Sequence, residues 1–449
     1  MPPTPRSRVC RVEDHDDALR LWRAAGPAPG PLVHIDAHPD FEWVDPDGFI
    51  NIANFLCAAW HEGLIRDVYW IVPDASWTAS ARRRALIDYT SDILSRYPGR
   101  RRSPRITPHE AAWRLPGGRV SIRPLSRLPV LRRPVRLSVD TDFLLIDRVP
   151  DVFEEPRCTL PWCVPAQLAA RLAGRGWQVE SAVIASSVRG GYTPLRWKYL
   201  GDELAERLSG ALKAERESWW ARHYEARVAL VERRLDDAAQ AYEDMLARHP
   251  DHAPSLFGLG EVLAAQGRGP AARAAYAHAC ALDGAYRLSQ DSTALAYFRS
   301  GDLALTEQEC AWRLAREPDD PLAWYVRGAV AAKERRWADA VAWLQRAVER
   351  DGTLLDGYAE LGRALEALGR IEEAITAYEQ TLRLGLQPAA TYDDRFIATN
   401  ACLPHRVGPD HFQIHRRLAV LYAQAHRPGD AAMSERFWHA AAQLAGAAR

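Results

Sequence analysis

Two grammars divide the hydrophobic positions of this chain. Up to about residue 210, short β-branched runs recur: Val9-Cys10-Arg11-Val12, Pro31-Leu32-Val33, Val68-Tyr69-Trp70-Ile71-Val72-Pro73, Val120-Ser121-Ile122, Val135-Arg136-Leu137-Ser138-Val139 and Ala182-Val183-Ile184-Ala185. Such runs, bounded by polar and turn-forming residues, read as strands. Ala53 to Gly63 and Pro165 to Gly174 have helical spacing, the second with Pro165 near its first turn, where a missing N–H costs nothing. Strands alternating with helices predict a parallel sheet covered on both faces. From residue 213 the strand signal vanishes and only helical spacing remains. The pattern therefore predicts an α/β domain over 1–212 and an all-α domain over 213–449.

The all-α half is periodic. Small residues recur at an interval of 34: Ala226, Gly260, Ala294, Gly328 and Gly362. Ala238, Ala272, Thr306, Ala340 and Ala374 keep the same interval, as do Tyr242, Tyr276, Cys310, Leu344 and Tyr378. Pro250 and Pro318 fall where a helix pair should end, and Trp324 and Tyr358 hold an early bulky position. This register resembles the tetratricopeptide repeat. The third copy is the weakest match, and a degenerate sixth runs from about Asp410 to Leu444 with Ala419 and Ala431 in the small positions. An insertion near 387–409 separates the fifth copy from the sixth. Small residues let paired helices approach, and no repeat can bury its apolar face alone, so the copies must stack into a superhelix. Its tyrosines and tryptophans are core residues first. Its concave face is of the kind that takes an extended peptide or a protein partner.

Composition narrows the classes of function. Lys+Arg and Asp+Glu both total 58, so no net field favours nucleic acid or an anionic membrane. A hydrophobic share of 47% fits a folded chain. No apolar run is long enough to span a bilayer, and the start, Met1-Pro2-Pro3-Thr4-Pro5-Arg6, has no signal-peptide core, so a cytoplasmic protein is expected. Seven scattered cysteines do not form a disulfide framework; Cys158 and Cys163 have no matching second pair for zinc and read as reduced thiols. The arginine-rich stretches Arg100 to Arg105 and Arg132-Arg133 read as solvated loops.

Chemistry concentrates in three acidic clusters, each following or lying in a strand run: Glu13-Asp14-His15, His34-Ile35-Asp36-Ala37-His38-Pro39-Asp40 and Ser138-Val139-Asp140-Thr141-Asp142. Alternate residues of an extended segment project to one side, so Asp36, His38 and Asp40 share a direction, as do Asp140 and Asp142. Carboxyl ends of parallel strands are where open α/β sheets place their sites. Four aspartates meeting without cations would repel one another and raise their own pKa values. The set suits two divalent cations that polarise a substrate and activate a shared water.

The order and spacing of these motifs resemble the arginase/deacetylase superfamily of binuclear metal hydrolases. The wording Val12-Glu13-Asp14-His15, His34 to Asp40 and Asp140-Thr141-Asp142 is similar to a branch that includes peptide arginases, which convert arginine of a ribosomally made precursor peptide to ornithine. The resemblance implies an arginase-like three-layer α/β domain. It further implies one ion held by His15, Asp36, Asp40 and Asp140 and a second by Asp36, His38, Asp140 and Asp142. Asp36 and Asp140 would bridge and serve the activation of hydroxide. Two Mn(2+) are expected, since a carboxylate-rich site with two imidazoles suits manganese better than zinc, copper or iron. His34 reads as packing within the sheet, with an outer-sphere role as the alternative.

Departures from the superfamily pattern shape the expected substrate. Glu42 stands where arginases of free arginine carry an asparagine that clamps the amino acid; loss of that clamp is what a peptide-bound arginine would permit, and it also fits an unrelated substrate. The stretch Ser181 to Ser187 lacks the acid that holds the guanidinium in arginases, leaving Glu13, Asp14, Glu42 and Asp45 as substitutes. Asn51 and Asn54 are candidate pocket donors, or a helix cap and a surface residue. Arg189-Gly190-Gly191-Tyr192-Thr193-Pro194 resembles the deacetylase arm, whose tyrosine polarises an amide carbonyl; Tyr192 is a catalytic candidate or a turn tyrosine. The leading expectation is a peptide arginase whose repeats recruit the precursor peptide or its carrier. An amide deacylase and a non-catalytic repeat scaffold are the alternatives.

Overall fold

A computed structural model of the chain describes residues 8–447 except 29, 46–49, 51, 100–102, 150–158, 189–192, 287–293, 295–297, 299–301, 316 and 386–408. Two compact units divide it, Met1–Trp220 and Ala221–Arg449.

The first unit is built on an eight-stranded sheet among the described residues: β1 (Arg8–Val12), β2 (Leu32–Ile35), β3 (Asp67–Val72), β4 (Arg105–Thr107), β5 (Glu110–Leu115), β6 (Gly118–Pro124), β7 (Val135–Asp140) and β8 (Val179–Ala185). Their order is β1-β8-β7-β2-β3-β6-β5-β4. The first six in that order run parallel, and β5 and β4 pair antiparallel at one edge. Each β-branched run singled out above falls within a strand of the parallel set or overlaps one. The β4–β5 pair was not anticipated: β5 reads Glu-Ala-Ala-Trp-Arg-Leu, with alanines and an exposed arginine where strand formers are usual. Arg105, expected in a loop, opens β4, though exposed as anticipated. The β5–β6 turn needs its two glycines. Gly117 has φ +82°, and a Cβ on Gly118 would stand 1.8 Å from the Arg66 carbonyl oxygen.

Both faces of the sheet are covered. Every residue of β2 and β7 is buried, the signature of central parallel strands. Leu32, Val68, Trp70, Val72 and Ile122 form one apolar core with α1 (Asp17–Ala25), α2 (Phe55–His61) and α4 (Ser80–Ser95), which follows the short α3 (Ala75–Thr78). The opposite face is covered by α5 (Pro165–Ala173) and α6 (Tyr199–Leu208); α6 sits so close that a Cβ on Gly201 would stand 2.7 Å from Thr141 Oγ1, just beyond β7.

The second unit is helical among its described residues. α7 (Ala214–Val231) enters it and pairs with α8 (Leu235–Arg248), and α9 (Ala253–Ala265) pairs with α10 (Gly269–Leu282). α11 (Leu303–Leu314) follows, then the pairs α12 (Pro321–Lys333) with α13 (Trp337–Arg350), α14 (Leu355–Ala367) with α15 (Ile371–Gly385), and α16 (Pro409–Gln424) with α17 (Pro428–Ala447). Most of the first helix of the third repeat, and nearly all of the insertion near 387–409, lie outside the described residues.

The interval of 34 has a direct packing cause. A Cβ on Gly260 would stand 2.5 Å from the Tyr276 ring, on Gly328 2.4 Å from Leu344 and on Gly362 2.7 Å from Tyr378. Within each pair the small residue on the first helix receives the bulky residue of the second. Gly260→Ala is therefore expected to destabilise the helical unit by about 1–3 kcal/mol through overpacking, in spite of alanine's better helix propensity. Gly429→Ala, where nothing lies within 4 Å, should be neutral or slightly stabilising. Thermal melts of the two variants check the opposite signs.

Candidate metal centre

The three acidic clusters meet at the carboxyl ends of three parallel strands, β2 and β7 side by side and β1 beyond β8. β1 leads into Glu13-Asp14-His15, β2 into Asp36 and β7 ends on Asp140. The expected extended geometry is not what brings them together. β2 stops at Ile35, and Asp40 sits in the left-handed region at φ 53°, so Asp36 to Asp40 turns back on itself. Asp142 lies in a 3-10 turn (Thr141–Leu144) that begins as β7 ends. Aspartate tolerates this backbone because its short side chain bonds locally. Asp36 accepts from the His38 N–H at 2.7 Å and Asp140 from the Asp142 N–H at 3.1 Å. The Asp40 carbonyl accepts from the Leu56 N–H, tying the turn to the start of α2.

The result is a tight cluster. His15 Nδ1 lies 2.9 Å from Asp36 Oδ2, 3.2 Å from Asp40 Oδ2 and 3.4 Å from Asp140 Oδ2. His38 Nδ1 lies 3.4 Å from Asp36 Oδ1 and 3.1 Å from Asp142 Oδ2. The two oxygens of Asp36 thus face two different imidazoles. Yet His15 Nδ1 and both Asp142 oxygens make no well-aligned hydrogen bond at these short distances. Close atoms that are not aligned on one another are what lone pairs aimed at a shared cation would produce. Buried polar atoms left this way need such an explanation, and the donor set fits divalent metal.

Neighbouring side chains orient the candidates. His15 Nε2 and Ser138 Oγ are 2.7 Å apart; with the proton on Nε2, Nδ1 keeps a free lone pair for the cavity. Ser187 Oγ donates to Asp140 Oδ2 at 2.6 Å, from a backbone held at φ 51°. His34, expected as packing, is indeed wholly buried and stacks on His15, but its Nε2 lies 3.6 Å from both Asp36 Oδ2 and Asp40 Oδ2.

A cavity of about 140 Å³ opens over the cluster, lined by His15, Asp36, His38, Asp40, Asp140 and Asp142 together with Asp14, Glu42, Tyr89 and Ser187. Glu13 is turned aside and accepts from the Val188 N–H at 2.9 Å, so it shapes the loop after β8. Asp45 accepts from Trp43 Nε1, and Asn54 is buried at the start of α2; neither lines the cavity. Asn51 and Tyr192 lie outside the described residues. Sequence reasoning passed over Ser138, although two residues before Asp140 on one strand face it was readable; Ser187 and Tyr89 carried no local signal.

Protonation follows from crowding. Burial, then Asp140 and Asp36, push the Asp142 carboxyl up to about 8, and burial with Asp36 raises Asp40 well above the usual range. Burial opposes charge on His15 and His38, but the carboxylates around them hold both imidazoles well above their ordinary value. Asp36 is held low against its burial by those two rings. Burial drives His34 down to about 3, so it is neutral.

The comparisons with known proteins fall on the helical unit. The family model described as tetratricopeptide repeat matches residues 225–287, 292–353 and 359–436. The C-terminal half is a tetratricopeptide-repeat array. Anaphase-promoting complex subunit 6 of Arabidopsis thaliana is 29% identical over 145 residues, which is 31% of this chain and 27% of that protein, so the match spans about a quarter of the relative's length. Among solved structures, the APC/C hetero-tetramer Cut9-Hcn1 is 19% identical, covering 51% of this chain and 42% of that one at a TM-score of 0.30. The MamA protein is 16% identical, covering 49% and 90% at a TM-score of 0.24. No helix among the described residues is long and apolar enough to cross a membrane.

Metal uptake must displace the protons of the cluster. Asp142, Asp40, His15 and His38 all have raised folded values, so their stabilisation is complete below their unfolded values and is lost as pH rises through the folded ones. For Asp142 that window runs from about 4 to about 8. Asp36 acts oppositely, its contribution being present above the ordinary carboxylate value and lost only in acid. The metal-free protein should therefore lose stability as pH rises toward 8. Binding of Mn(2+) at pH 7 should release at least about one proton. Calorimetry in two buffers of different ionisation enthalpy measures this, and uptake with no proton release would refute the assignment of charge.

Proposed function

We propose that the first unit is a binuclear metal hydrolase acting on the guanidinium of peptidyl arginine, giving ornithine and urea, and that the repeat array recruits the precursor peptide or the protein that carries it. One observation carries the reading: four buried aspartates and two imidazoles, drawn from three distant segments, surround one small cavity with the two oxygens of Asp36 facing different histidines. His15, Asp36, Asp40 and Asp140 would hold one ion, and Asp36, His38, Asp140 and Asp142 the other. Bound there, two divalent cations supply Lewis acidity and lower the pKa of water; manganese suits the carboxylate-rich set.

The chain's own residues account for the choice of substrate. Asp14 and Glu42 line the cavity without belonging to the ligand set, and acids so placed favour a cationic head group. They stand in for the guanidinium-binding acid that the Ser181–Ser187 stretch lacks. Ser138 fixes the ring of His15 and Ser187 fixes Asp140, so the bridging carboxylate keeps its place as substrate enters. In the net reaction water adds at the guanidinium carbon, the bond from that carbon to the side-chain Nε breaks, and a proton is left on the new amine.

A second reading, a protein-binding scaffold, is favoured by the repeat matches, which establish the helical array and bear on no chemistry. An amide deacylase on the same cluster is a third and would depend on Tyr192. Incubation of the Mn(2+)-loaded chain with arginine-containing peptides separates them. Urea release and a loss of about 42 mass units per modified arginine are expected, reduced roughly a thousandfold or more in Asp36→Ala and Asp140→Ala. Acetate from acetylated peptides, without urea, would establish the deacylase. Failure of the chain to bind any divalent cation would leave the scaffold.

A further inference from the structure

His34 combines the burial of a core residue with the chemistry of a ligand. Its ring is 0% exposed, and neither Nδ1 nor Nε2 makes a well-aligned hydrogen bond, the His38 backbone being the nearest weak partner. Packing alone gives no reason for a histidine here, because an apolar ring would fill the space without burying two nitrogens that lack an aligned partner. The ring has a defined direction. It stacks on His15 with centroids 5.1 Å apart and planes at 29°, and meets Phe55 of α2 edge-on. That stack turns Nε2 toward the two oxygens that His15 Nδ1 also faces, Asp36 Oδ2 and Asp40 Oδ2, each 3.6 Å away. One atom from each of His15, His34, Asp36 and Asp40 can be chosen so that all four lie within 4.8 Å of one another. Ligands of one octahedral ion stand about 3 Å apart when adjacent and about 4 Å when opposite, so the cluster needs little contraction.

Resting on the binuclear reading above, we propose that His34 is a direct ligand of the first ion through Nε2. That ion then takes His15, His34, Asp36, Asp40 and Asp140 from the chain, while the second keeps a single imidazole, His38. The two positions become chemically unequal. Two imidazoles make the first the preferred seat of a later divalent ion such as cobalt, iron or zinc, whereas the second retains the carboxylate-rich character that suits manganese.

Cobalt(II) titration of the full chain, followed by calorimetry and visible absorption, tests this. Wild type should bind two ions. His34→Phe keeps an aromatic ring against His15 but removes the nitrogen. It should lose at least about tenfold in affinity for one ion and less than about twofold for the other, with no loss of metal-free melting temperature. His34→Gln, which returns a donor near the Nε2 position, should recover part of the loss. Wild-type affinity for both ions in a folded His34→Phe would make His34 a packing residue and overturn the proposal while leaving the binuclear reading intact. A wild-type chain that binds no cobalt would overturn both. X-ray absorption of the cobalt-loaded wild type decides without any variant: about three imidazoles shared by two ions with His34 bound, about two without it.

Discussion

The first unit depends on one electrostatic constraint, the gathering of four carboxyl groups in a space from which water is largely excluded. Charges this close repel strongly at low dielectric, and each has lost its hydration. Without a cation the cluster can persist only by holding protons, and the raised values of Asp40 and Asp142 express that. Their surroundings are built to keep the carboxyls in place. Asp36 and Asp140 take backbone N–H bonds, Asp40 is pinned by its left-handed turn to α2, and Ser187 adds a hydroxyl to Asp140. On the proposed function, the left-handed turn and the buried serines that confine these like charges are arranged around two cations. The parallel sheet is what permits it, since β2 and β7 pair directly and deliver Asp36 and Asp140 side by side.

Much of this was legible in the sequence because the central strands are buried on both faces and so are dominated by Val, Ile and Leu, broken only by His34 in β2 and by Arg136, Ser138 and the terminal Asp140 in β7. The antiparallel β4–β5 pair was not, because β5 is half solvated and made largely of alanine, tryptophan and arginine. Residue types and order disclosed the cluster, yet the reason first given for its convergence was incomplete. Side-chain alternation along an extended strand would have placed Asp36, His38 and Asp40 on one side, whereas a turn with a positive φ at Asp40 does so instead. Such a turn has no signature in the residue pattern beyond aspartate's tolerance of it. His34 shows the same limit from the other side. Its place two residues before Asp36 on one strand face suits either a packed ring or a ligand, and only the stack on His15 gives its nitrogen a direction.

The repeat half was legible for a different reason. Its information is periodic, and a small residue opposite a bulky one, repeated every 34 residues, leaves a mark that survives even where single positions drift. In the third copy Thr306 and Cys310 replace the usual alanine and bulky residue on the second helix, and both remain fully buried.

The size of the cavity links the two halves. At about 140 Å³ it is smaller than the roughly 300–1,000 Å³ of sites that enclose a whole small molecule. Such a space admits the head group of a side chain and little of what lies behind it, so contacts there provide orientation and charge recognition more than affinity. On the proposed function, the binding energy for a peptide has to come from another surface. An array in the same chain that holds the substrate elsewhere along its length turns the encounter with the cavity into an intramolecular event. A shallow site with a demanding ligand set and an extended helical array are then two parts of one requirement, chemistry in a small space and affinity over a large one.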